Sequence, residues 1–131
     1  MSSAVQTLNE ISRLLDALPG TAVLDHRIDG NNAILEITSH GVTSAHLVQS
    51  LCEAANVAME PPVRLHEPGF NAETTRHFSL SANTEGFDSI GFGYLQLLGI
   101  HLVWHLHRIG EMPTETANLL LQRWNGARVG A

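Results

Sequence analysis

Apolar and polar positions alternate with two different periods along this chain, and the changes of period mark its elements. Residues 3–18 carry Val5, Leu8, Ile11, Leu15 and Leu18 at helical spacing, which predicts an amphipathic helix stopped by Pro19-Gly20. Ser3 and Gln6 have the spacing of a capping box. Ala22–Ile28 and Ala33–Thr38 read as strands joined by Asp29-Gly30-Asn31-Asn32, with Leu24, Ile28, Leu35 and Ile37 turned inward. A second helix is expected from about Thr43 to Asn56, capped by Thr43 and Ser44 and buried along Leu47, Val48, Leu51, Cys52 and Ala55.

Beyond it the pattern loosens. Glu60-Pro61-Pro62 and Glu67-Pro68-Gly69 frame a connection near 57–74, with Val63–His66 as a short edge strand. A loop this long in a small domain is expected to be functional or flexible. Phe70, Arg64 and His66 are its candidate partner-binding residues, joined by Tyr94 further along the chain. Thr75–Ser81 reads as a strand with Phe78 and Leu80 inward, followed by a turn over Ala82–Asp88. Thr114 caps a last helix, about 115–125, buried along Ala117, Leu120, Leu121 and Trp124. The tail 126–131, with two glycines, is expected to fray.

Between them lies Ser89–Gly110, the most apolar stretch, and it admits two foldings. From Ile100 to His107 the pattern alternates, which predicts strands over about 90–97 and 100–108 broken near Gly99. Three glycines, at 91, 93 and 99, weigh against a helix. As a helix, the same stretch would place Tyr94, His101, His105 and Arg108 along one stripe. The strand reading is preferred. It gives the order α-β-β-α-β-β-β-α: an α+β domain over 1–131, with an antiparallel sheet of about five strands and helices on one face. The sheet's other face then carries Tyr94, Val103 and histidines, which calls for cover by a second subunit.

Composition narrows the function classes. The 131 residues are 44% hydrophobic and 15% charged, enough for one self-sufficient core. The net charge of −6, with seven scattered Arg and no Lys, argues against nucleic-acid binding. Three histidines and an arginine make the apolar stretch too costly for a membrane span. A single cysteine and no visible secretory signal point to the cytoplasm.

The stretch Leu18-Pro-Gly-Thr-Ala-Val-Leu-Asp25, then Asp29-Gly30, followed by helix, three strands and helix, resembles Roadblock/dynein light chain-like proteins. That resemblance implies a homodimer that binds small GTPases or motor subunits. The same opening is similar to class I type III secretion chaperones, acidic homodimers that hold a partner in extended form. No family residue carries over from either.

The chemical leads are few. On a strand, His105 and His107 would project from one face about 7 Å apart, with His101 two same-face positions away, and such a set can converge on Zn. On a helix the pair becomes His101 and His105. Against a metal, no Cys or acidic cluster lies at ligand spacing, and the histidines suit an interface or a partly buried setting. Cys52 and His46 fall on different helix faces, and Asp25 and His26 on opposite strand faces, so neither pair makes a catalytic dyad. Ser79 and Ser81 lack a nucleophile elbow, and Gly91-Phe92-Gly93 lacks the rest of a phosphate loop. Phe70, Phe87 and Trp124 are either core or partner anchors. The expected function is therefore a non-enzymatic, homodimeric module that binds another protein as adaptor, chaperone or inhibitor, with no cofactor. The alternative is a histidine-liganded metal protein or small metalloenzyme, with Zn held by His105, His107 and His101.

Overall fold

A computed structural model describes residues 4–84 and 93–130. The order is α1 (Ala4–Asp16), β1 (Thr21–Asp29), β2 (Asn32–His40), α2 (Val42–Ala54), β3 (Ala58–Glu60), β4 (Thr75–Asn83), α3 (Tyr94–Arg108) and α4 (Thr114–Arg123). The class is α+β, with a four-stranded antiparallel sheet in the order β1-β2-β4-β3. One face of the sheet is dry: Ala33, Leu35, Ile37, Phe78, Leu80 and Ala82 are buried beneath the helices. Helix α1 lies over β1, α2 over β2 and β3, and α3 packs against both helices and β4.

The hairpin forms as expected around Gly30, whose φ of 60° suits the tight turn between Asp29 and Asn32. The first helix buries Leu8, Ile11 and Leu15 as expected, with Leu14 added, whereas Val5 stays outside. Ser3 and the end of the turn after β4, residues 85–88, lie outside the described residues.

The largest correction concerns the apolar stretch. Tyr94–Arg108 is one continuous helix, not the strands expected over 90–97 and 100–108 (positions 90–92 lie outside the described residues). The alternation was incidental: Val103, assigned to the outer face, is fully buried, while Trp104, assigned inward, is 41% exposed. Helical burial at Leu95, Leu98, Leu102 and Leu106 follows the i, i+3, i+4, i+7 rule instead. Gly99 is tolerated because the backbone must approach its neighbours. A Cβ there would stand 2.5 Å from Ile11 Cδ1 and 2.6 Å from Trp124 Cζ3.

Smaller corrections follow from local chemistry. Leu24 and Ile28 do not turn inward; they are 61% and 38% exposed. The register of β1 on β2 slips between Val23 and Asp25, so Leu24 is the extra residue of a bulge. Helix α2 begins at Gly41 without a side-chain cap. The Ser44 hydroxyl instead donates back to the carbonyls of His40 and Gly41. The edge strand is Ala58–Glu60, not Val63–His66. Thr114 is the first helical residue of α4, preceded by Pro113 as the cap position.

The two irregular segments are fastened by side-chain amides. Gln49 accepts from Val63 N–H (2.6 Å) and donates to Val63 C=O (2.9 Å). Asn118 does the same to Val129, at 2.8 and 3.2 Å, which ties the tail to α4. Arg123 pairs with Glu10, linking α4 to α1. The outer sheet face is polar, with Glu36 near His77 (3.6 Å) and Ser79 and Ser81 beside them, so it needs no apolar cover.

Candidate functional site

Helix α3 runs through the helical layer, yet one side of it reaches the surface. At about 100° per residue, Tyr94, Leu97, His101, Trp104, His105 and Arg108 fall on one stripe, and every one of them is exposed or half-buried. The opposite arc, from Leu98 round to Ile100, is core. Tyr94 and Trp104 are 39% and 41% exposed, Leu97 packs partly against the core, and the two histidines and the arginine share the stripe with them. Along the axis His101 lies between Tyr94 and Trp104, which stand about 15 Å apart, so the stripe mixes aromatic, titratable and cationic groups; Trp, Tyr and Arg are residue types enriched at protein interfaces.

Arg108 donates to Nδ1 of His105 at 3.1 Å, which requires that nitrogen to be unprotonated. Burial, and then the neighbouring Arg108 charge, hold the His105 pKa below its ordinary value, so the ring stays neutral near pH 7. His107 lies about 200° round the helix from His105, and its Nε2 meets Thr114 Oγ1 at 3.0 Å, at the start of α4. The helix therefore separates the expected His105–His107 pair and brings His101 and His105 one turn apart. Among the described residues no three His, Cys, Asp or Glu side chains are grouped so as to hold a metal ion.

The expected loop residues divide. Arg64 and His66 are exposed. Phe70 is only 5% exposed: its ring stacks near Phe78, with centroids 6.3 Å apart, and the Arg76 guanidinium covers its other side at 4.3 Å. Arg76 also donates to Glu67 at 2.6 Å. That bond, helped by the Arg64 N–H, lowers the Glu67 pKa. Trp124 is fully buried, and Phe87 lies outside the described residues. Cys52 is sealed in the core, where burial and Glu53 push its thiol up to about 12, so it is no nucleophile. Asp25 bonds Arg27 and His26 bonds Asn9, on opposite sides of β1.

Sequence reasoning missed Trp104 and Leu97 because it placed them on a strand. The helical stripe of Tyr94, His101, His105 and Arg108 already held the signal. A shallow groove of 940 Å³ between α4 and the tail, lined by Glu115, Leu119, Gln122 and Arg128, brings no reactive set together. Among the described residues no helix is long and apolar enough to cross a membrane. No protein-family model, curated protein or solved structure matches the chain. Among the described residues the chain continues after α2 with two strands and two helices.

Proposed function

We propose that this protein is a non-enzymatic, homodimeric module that binds another protein, as adaptor, chaperone or inhibitor, through the outward stripe of α3. One observation carries the reading: a helix otherwise devoted to the core keeps Trp104, Tyr94 and Leu97 at the surface beside His101, His105 and Arg108. Exposed aromatics on a stable scaffold cost solubility and suit recognition. Trp, Tyr and Arg are also the residues over-represented among those that dominate binding energy.

The test is Trp104→Ala. The side chain is already half in water, so thermal stability should change little. Capture of the native partner by tagged protein from host extract, followed by titration of that partner, should weaken at least about 30-fold, the effect of losing roughly 2 kcal/mol at a hot spot. Full-strength binding by the variant would exclude the stripe.

A further inference from the structure

Among the described residues no strand pairs with the free side of β1, which makes it a long open edge. The sheet order leaves β1 and β3 at its borders, and β3 has three residues whereas β1 has nine. From Leu24 to Asp29 all six residues are exposed, on both faces, although His26 still meets Asn9 of α1 at 2.8 Å. Backbone N–H and C=O groups along such an edge point outward at alternate residues and invite another strand. Natural edges are commonly blunted by charge and by bulges, and β1 has both: Asp25, Arg27 and Asp29, and the slip at Leu24. The charges are not of one sign, and their order decides what the edge rejects.

A strand pairing antiparallel with its own copy matches residue i to residue j at a constant i + j, and twofold symmetry makes that constant even. Each alignment is therefore centred on one residue. Centred on Arg27, arginine meets arginine and Asp25 meets Asp29. Centred on Asp25, aspartate meets aspartate. Centred on Leu24, no opposite charges meet, and Arg27 faces uncharged Thr21. Centred on Ile28, Arg27 meets Asp29, but the match runs off the strand at Gly30 and leaves Leu24 uncovered. Centred on His26, Asp25 meets Arg27 of the second copy twice; Leu24 sits at the bulge, outside the regular match. That alignment joins opposite charges twice, opposes no like charges and, unlike the one centred on Ile28, is centred well inside the strand.

We infer that β1 is the self-association surface, pairing with β1 of a second copy in the register centred on His26 to make one continuous eight-stranded sheet. The inference rests on the homodimer in the proposed function and names its interface. The twofold axis stands perpendicular to the sheet, so both helical layers lie on the same side. The two α1 helices then flank the junction, each with Val5 exposed in its first turn. The α3 stripes stay free for a partner.

Sedimentation equilibrium of the full chain, with circular dichroism as a check on folding, tests this. The unmodified chain should run at about twice 14.2 kDa. Asp25→Arg and Arg27→Asp should each raise the dimer dissociation constant about tenfold or more, because both cross-strand pairs become repulsive. An equimolar mixture of the two variants should recover dimers, since each then meets its complement; restoring a contact within one strand cannot produce that result. If either variant fails to fold, the double exchange Asp25→Arg/Arg27→Asp serves instead: it should self-associate normally yet not exchange subunits with the unmodified chain. Variants that dimerise as tightly as the unmodified chain would overturn β1 as the interface while leaving the dimer standing. An unmodified chain that stays at 14.2 kDa would remove the dimer itself. Trp104→Ala should leave self-association unchanged, which keeps the two surfaces separable.

Discussion

A single methyl group added at position 99 would meet Ile11 Cδ1 at 2.5 Å and the Trp124 ring at 2.6 Å. Two effects of opposite sign compete. Alanine favours a helix over glycine by roughly 1 kcal/mol, whereas overpacking a closed core costs about 1–3 kcal/mol. The Ile11 terminus can swing aside, but the Trp124 ring is fully buried and cannot. Sterics should win, and Gly99→Ala is expected to lower stability by about 1–2 kcal/mol in urea denaturation. An unchanged or raised midpoint would show that the helices do not meet this closely. The same residue explains a misreading. Taken alone, a glycine inside an apolar run argues for a broken strand; only the neighbours it admits, Ile11 and Trp124, show why a helix keeps it.

At the scale of elements, regular segments were legible wherever one face alone had to be dry. The hairpin follows from its turn residues, and β2, α1, α2, β4 and α4 follow from spacing, because each of these buries a side and wets the other. Helix α3 was not legible in this way. Its buried arc is so wide that both periods fit Ile100–His107, and the choice fell to the glycines. The chemical site suffered with it, since Trp104 joins Tyr94 only on a helix. The loop 61–74 shows the converse: proline framing suggested freedom, yet Phe70 and Val63 are core residues. Nothing in the local sequence reveals that Gln49, fourteen positions away, supplies both hydrogen bonds to Val63. Gln49→Ala would leave a buried N–H and C=O without their partner. It should cost about 1–3 kcal/mol and open the loop to limited proteolysis. Protection equal to that of the unmodified chain would mean that Phe70 and Arg76 hold the loop by themselves.

For the molecule as a whole, the titrating groups predict a stability profile that falls at both ends of the pH scale. The Cys52 thiol is raised from 9.0 to about 12 in the fold, so the unfolded chain loses its proton first. Stability present below pH 9 is therefore lost progressively as pH climbs towards 12. His105 shifts the other way. Its lowered pKa means that the unfolded chain takes up the proton first as pH drops below 6.5, which favours unfolding in mild acid. Glu67, held below 4.5 chiefly by Arg76, adds to the acid limb at lower pH still. Urea midpoints measured from pH 5 to 11 should form a dome, and Cys52→Ala should flatten its alkaline side even if a small cavity lowers the whole curve. An alkaline limb of unchanged slope would place the responsible group elsewhere.

The two carboxamide fastenings on Val63 and Val129 act outside that profile. A carboxamide offers one donor edge and one acceptor edge, and it carries no net charge to be screened or neutralised. Concentrated salt, which weakens exposed ion pairs such as Asp25–Arg27, leaves these attachments as they were. The irregular parts of the chain are thereby anchored independently of ionic strength, while the edge proposed for pairing answers to it directly.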